Sequence, residues 1–205
     1  MKASLLVVTD QGDLLCYHKD RVMIIDTHCK LIKRSMKVAN VVSLAQCKEN
    51  VFIAAMDQEQ FICERFNYKL REKTKICDFK LESQSEQQMA VQETELIVID
   101  DFSNCSQLRI YNFTGSLLRK VFLGEKALQI SLLPQGHVLI KCSDLHIARY
   151  DITEAKPKRI WRSKEEYNLV SRDNAGLCYC NSPKDNSDQE IQLVTSETSS
   201  GKFKL

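Results

Sequence analysis

No stretch of the 205-residue sequence approaches the roughly 20 consecutive apolar residues that a membrane-spanning helix needs. The apolar run near the amino terminus, Leu5–Val8, gives way at once to Thr9 and Asp10, too short for the core of a secretory signal. A cytoplasmic chain without a membrane partner is therefore expected. Glycine-rich phosphate loops, a GxSxG elbow and an HExxH pair are all missing, so no cofactor loop or hydrolytic motif is read from the sequence. The four histidines, at 18, 28, 137 and 146, share no i,i+2 or i,i+4 spacing of the kind that ligates a metal. Nine cysteines are present without one CxxC pair. Scattered as they are, at 16, 29, 47, 63, 77, 105, 142, 178 and 180, they are expected to be buried free thiols. Net charge is also nearly absent, at +2, so global electrostatics do not point to nucleic acid. No helical periodicity of comparable length competes with the pattern that follows.

What is present is a repeat. Residues 22–34 lie over residues 108–120 without a gap: Ile24, Ile25 and Asp26 over Ile110, Tyr111 and Asn112, and Leu31, Lys33 and Arg34 over Leu117, Arg119 and Lys120. Residues 61–71 fall in the same register, with Leu70 at the Leu31 position. Each copy runs from an alternating apolar strand through a short polar turn into a second strand that opens on Leu and gains Lys or Arg, the pattern of a β-hairpin. Longer-turned copies begin at Ile147 and Ile191, so the five hairpins start at 22, 61, 108, 147 and 191, a mean step of about 42 residues.

A second strand pair precedes each hairpin: residues 5–8 and 14–17, 42–44 and 51–54, 89–91 and 96–99, 130–132 and 137–140, and 169–171 and 177–180. Four strands per repeat, five times, use essentially the whole chain. One such sheet cannot bury both its faces, and stacking blades around an axis is how propellers solve this while limiting exposed edges. The expected fold is an all-β propeller of about five four-stranded blades in one domain, 1–205, with blades at 4–38, 40–79, 87–123, 127–163 and 167–205. A β-sandwich is the competing architecture, but sandwich strands have no fixed 40-residue period.

The third repeat resembles the NHL repeat of the tripartite-motif (TRIM) protein family. The resemblance rests on Met89, Val91, Leu96, Val98 and Asp100, then Arg109, Ile110, Asn112, Gly115 and Leu117. The fifth repeat adds Gly176, Tyr179, Asn181 and Ile191, and the fourth adds Gly136, Val138, Ile140, Tyr150 and Asp151. WD repeats are a near competitor through Gly136-His137 and Tyr150-Asp151, but the other repeats lack both pairs. NHL propellers usually have six blades, so an incomplete six-bladed ring is the alternative to five. The resemblance implies a non-catalytic substrate-recognition platform for a protein or peptide, with a possible place in the ubiquitin pathway. It equally allows RNA binding. The RING and B-box ladders of that family have no counterpart in these residues. A hydrolase- or lactonase-like propeller with a channel metal is the third alternative, and the Asp100-Asp101 pair is its best carboxylate candidate. Paired Asp at a strand end more commonly forms a solvated turn.

Charge is distributed by loop class. Connections between second and third strands and between blades are expected to carry fourteen acidic and six basic residues, about −8 on one face. The candidate partner-binding residues there are Asp57, Asp100, Asp101, Phe102, Asp144 and Asp185. The compensating cations concentrate on fourth strands, and Arg71, Lys73, Arg119, Lys120 and Arg159 form the candidate basic rim. Lys on an outer strand also serves to block edge-to-edge aggregation, which is the plainer account of that rim.

Overall fold

The computed structural model describes residues 5–80, 89–92, 94–101, 104–133, 136–154 and 156–163, the side chain of Leu6 excepted, and the backbone of four strands beyond them. Five four-stranded sheets follow one another along the chain, each with its strands hydrogen-bonded in sequence order. The first contains β1 (Leu5–Val8), β2 (Leu14–His18), β3 (Arg21–Ile25) and β4 (Ile32–Lys37), and the second β5 (Val41–Cys47), β6 (Asn50–Asp57), β7 (Gln60–Asn67) and β8 (Lys73–Lys80). The third holds β9 (Met89–Gln92), β10 (Glu95–Asp101), β11 (Ser106–Asn112) and β12 (Leu117–Phe122). The fourth holds β13 (Ala127–Leu133), β14 (His137–Cys142), β15 (Ile147–Asp151) and β16 (Lys158–Arg162). The fifth, described by its backbone, has β17 (Leu169–Arg172), β18 (Cys178–Asn181), β19 (Glu190–Val194) and β20 (Ser200–Lys204). The protein is all-β, a succession of four-stranded antiparallel sheets.

The chain divides into two compact units, Met1–Asp101 with Leu108–Lys120, and Phe102–Gln107 with Val121–Leu205. Within the first, β6 is the central slab. Successive side chains of a strand point to opposite faces. Val51 and Ile53 thus join Leu15, Val22, Ile24, Leu44 and Phe66 in one buried cluster. Phe52 and Ala54 join Phe61, Cys63, Met89, Leu96, Val98 and Tyr111 in another. A strand covered on both faces needs no polar alternation, which is why β6 is apolar from Val51 to Met56. The second unit buries Ile130 and Leu132 of β13, Val138, Leu139 and Ile140 of β14, and Ile147, Ala148 and Tyr150 of β15.

The repeat has a physical basis in the turns from third to fourth strands. Asp26 Oδ1 accepts from the backbone N–H of His28 and Cys29, Asn67 Oδ1 from Lys69 and Arg71, Asn112 Oδ1 from Thr114 and Ser116, and Asp151 Oδ1 from Thr153. These are Asx turns, in which the carboxyl or amide oxygen replaces a backbone acceptor as the strand ends. The residue closing the turn then takes a left-handed conformation at Lys30 (φ 55°), Leu70 (φ 54°) and Gly115 (φ 94°).

The leucines that align across the hairpins do not occupy one position. The N–H of Asp26 bonds to the carbonyl of Leu31, that of Asn67 to Glu72 and that of Asn112 to Ser116. By that bond Glu72, not Leu70, is the counterpart of Leu31. Leu70 instead sits in the turn ahead of β8, buried against the first cluster. Leu117 opens β12, whereas Ile160 is the third residue of β16 and Phe203 the fourth of β20. Third strands and turns of unequal length displace the apolar residue while the fourth strands themselves correspond.

Cysteine burial divides the described thiols. Cys16, Cys63, Cys77 and Cys142 are buried, Cys47 and Cys105 half-buried, and Cys29 is exposed on the first Asx turn, against the expectation of uniform burial. Cys178 and Cys180 lie in β18, whose side chains are outside the described residues. Burial raises the Cys16 thiol above its ordinary value and pushes Cys142 up to about 12, so both stay protonated and unreactive near neutral pH. Mass spectrometry after brief native treatment with a maleimide should find Cys29 labelled first and Cys16, Cys63, Cys77 and Cys142 unlabelled until denaturant is added. Native labelling of Cys63 or Cys142 at the Cys29 rate would contradict this core.

Candidate functional site

On β6 and β7 the antiparallel register sets Ile53 opposite Glu64 and Ala55 opposite Ile62, with Asp57 opposite Gln60 at the hairpin end. Ile53, Ala55 and Asp57 alternate onto the same face, so the strands present an apolar floor that ends in a carboxylate. Val51, Ile53 and Phe66 on that face are covered by the first sheet's cluster, while Ala55 and Asp57 lie beyond it. There the linker from β4 to β5 crosses. The Val38 N–H bonds to the carbonyl of Asp20 and the Met56 N–H to the carbonyl of Asn40, each at 3.0 Å, and Asn40 is left-handed at φ 53°. Linker and strands enclose an open cleft of about 290 Å³, lined by Val38, Ala39 and Asn40 on one side and by Ile53, Ala55, Met56, Asp57, Ile62 and Glu64 on the other.

The two carboxylates at this cleft differ. Glu64 is held by Lys73 Nζ at 2.9 Å. Asp57 is exposed and has no ion-pair or side-chain hydrogen-bond partner among the described residues. A cation arriving from outside would find Asp57 uncommitted.

Among the described residues, several other loop carboxylates are already neutralised within the protein. Glu59 pairs with Lys80, and Asp78 with Lys75. Asp144 is half exposed but accepts from Arg162 and lies 3.5 Å from His146 Nδ1. Glu125 receives the Tyr150 hydroxyl, Arg162 at 3.1 Å and, more loosely, Arg159 at 3.9 Å. Among the described residues, these loop carboxylates are therefore held in internal pairs and do not stand as a free field. Phe102 and Asp185 lie outside the described residues.

Asp100 and Asp101 are the main correction. Instead of forming a solvated turn they complete β10, at 0% and 2% exposure. The reason is Arg109 on β11: its Nε donates to Asp100 Oδ2 at 2.7 Å and its Nη2 to the same oxygen, leaving Oδ1 without a partner. The guanidinium packs over the Phe79 ring, 4.2 Å from its centroid, and Phe79 stacks on Tyr111 at 6.4 Å with planes 16° apart. Burial pushes the Tyr111 hydroxyl up to about 12. Compensating charge and an aromatic bed make burial of this carboxylate tolerable. Asp100 and Asp101 thus do not present a surface to a partner.

The basic rim is also partly committed. Lys73 pairs with Glu64, Arg119 makes two bonds to Glu95 at 3.0 and 3.3 Å, and Arg159 approaches Glu125. Lys120 is exposed on β12. Arg71, expected in a fourth strand, lies in the turn ahead of β8, where its N–H bonds to Asn67 Oδ1 at 3.2 Å. Among the described residues no three His, Cys, Asp or Glu side chains converge as a metal-ligand set.

No family model and no curated protein matches this sequence. Among solved structures the chain is similar to a functionally unknown protein from Desulfotomaculum acetoxidans DSM 771, with a TM-score of 0.61 at 12% sequence identity. The match covers 90% of this chain and 62% of that one, so the chain spans less than two thirds of that protein's length. At this identity the likeness is one of fold alone.

Proposed function

We propose that the five meanders are blades of a propeller and that the chain is a non-catalytic protein-interaction platform, similar in role to the substrate-recognition propellers of TRIM-NHL proteins. In this reading the connections between strands receive a basic or polar segment of a partner. The observation that carries it is Asp57, an unneutralised carboxylate set beside an apolar cleft while Glu59, Asp78, Glu125 and Asp144 are paired internally. RNA binding remains the second reading, supported by exposed Lys120 and Arg71. It ranks lower because a phosphate contact needs a cation free to neutralise it, and Lys73, Arg119 and Arg159 are shared with carboxylates.

A peptide array probed with the intact chain, run beside filter binding of a mixed-sequence single-stranded RNA, tests the choice. Basic peptides should be retained over acidic ones at low salt, with the difference fading as ionic strength shortens the Debye length to about 8 Å. Retention of RNA with no preference for basic peptides would reject the platform reading in favour of RNA.

A further inference from the structure

The cleft between the Val38-Ala39-Asn40 linker and strands β6 and β7 is specific enough to suggest the chemistry of its occupant. We infer that it receives a single arginine or lysine side chain of a partner segment, an inference that rests on the platform reading above.

Depth and lining come first. The floor is built from two cross-strand pairs, Ile53 with Glu64 and Ala55 with Ile62, and Val38 and Ala39 of the linker form the side. Ala55 is small where its neighbours Ile53 and Ile62 are branched, and this keeps the middle of the cleft open. Such a channel suits the methylene stem of a long cationic side chain, which buries its carbons along apolar surface while its head stays polar. A wholly apolar occupant would instead leave Asp57 at the rim without a partner.

Charge then limits the occupant to one cation. Lys73 already occupies Glu64 at 2.9 Å, so the pair is close to neutral. Asp57 has no such partner and is exposed, so the free protein bears no cost of an unpaired buried charge and the incoming head group keeps some water. An acidic side chain entering here would meet Asp57 and Glu64 together and be repelled. Beside them stands Asn40, whose carbonyl is taken by the Met56 N–H, which fixes the linker before any ligand arrives. A site already formed loses less ordering entropy on binding.

Position supports the same occupant. The cleft opens at the β6–β7 hairpin end, where Gln58 is left-handed at φ 56° and Glu59 is tied to Lys80. The residue flanking the inserted cation meets the half-buried Ile62. A basic residue with a small apolar neighbour is the expected partner signature.

The test is a titration of the intact, isotopically labelled chain with acetyl-Leu-Arg-Val-amide, its citrulline analogue and its glutamate analogue, followed by amide chemical shifts. The arginine peptide should move the amide signals of Asn40, Ala55, Met56, Asp57 and Ile62, and the citrulline and glutamate peptides should not. Asp57→Asn should weaken binding about fivefold, the size expected for one solvent-accessible ion pair. Ala55→Leu should block entry, and D57N keeps the test decisive should A55L unfold the sheet. Arginine-peptide shifts confined to other residues, or an affinity indifferent to D57N, would overturn the cleft assignment. Basic peptides retained on the array would in that case leave the platform reading standing, so the two failures are distinguishable.

Discussion

Replacing Arg109 with alanine is expected to lower the unfolding free energy by about 3–5 kcal/mol, the penalty typical of stranding one member of a buried ion pair. Asp100 is wholly buried, and among the described residues Arg109 bonds to its Oδ2 while Oδ1 has no partner. Removing the guanidinium would leave a carboxylate with neither water nor a cation, which is far costlier than the loss of the bond itself. The contact with Phe79 adds about 0.5–1 kcal/mol of cation–π attraction that also disappears. Urea unfolding followed by circular dichroism reads the difference. The mechanism makes a second demand: Arg109→Met combined with Asp100→Asn should be more stable than Arg109→Ala alone, because the stranded charge is gone. If R109A costs under about 1 kcal/mol, or if the double variant is worse than the single one, the pair is not what holds β10 and β11 in place.

That same pair shows where sequence reasoning stopped. The aspartates were visible as a pair, and their type suggests a turn when taken locally. Their partner lies nine residues on, across a hairpin, and only strand register puts Arg109 against Asp100. Register was also what displaced the aligned leucines: Leu70 and Leu31 look equivalent in the sequence, but β7 runs longer than β3 before its Asx turn, which leaves one in a buried turn and the other 65% exposed. The strands themselves were legible because their apolar content is local. Leu5–Val8 agrees residue for residue, and β6 and β10 extend past their expected ends because both of their faces are covered and polarity no longer marks the boundary. Asp57 was legible as a loop acid, whereas the cleft beside it was not. It arises from a linker at residues 38–40 meeting a face some fifteen residues later, a long-range event that no local pattern records.

Gly115 was aligned within the repeat, and its backbone gives the second large effect. Gly115→Ala is expected to cost about 2–4 kcal/mol, the sum of a left-handed penalty of about 1–2 kcal/mol and an overpacking penalty of about 1–3 kcal/mol that partly overlap. At φ 94° the residue lies well beyond the conformation that L-residues tolerate in a left-handed turn, unlike Lys30 and Leu70 at the corresponding positions near 55°. A β-carbon built there would stand 2.7 Å from the carbonyl oxygen of Ile76 and 3.5 Å from its carbon, and that carbonyl belongs to β8, so no flexible side chain can yield. The turn closing β11 would have to withdraw from β8, loosening the contact at Ile76, which is 3% exposed within the second core cluster. Gly12 supplies the comparison. It too has a positive φ, 78°, but nothing lies within 4 Å of its added β-carbon, so Gly12→Ala should show the conformational penalty alone, about 1 kcal/mol. Thermal and urea unfolding of the two variants side by side separates strain from close approach. Equal losses for G12A and G115A would mean that β8 and the β11–β12 turn are not in contact in solution.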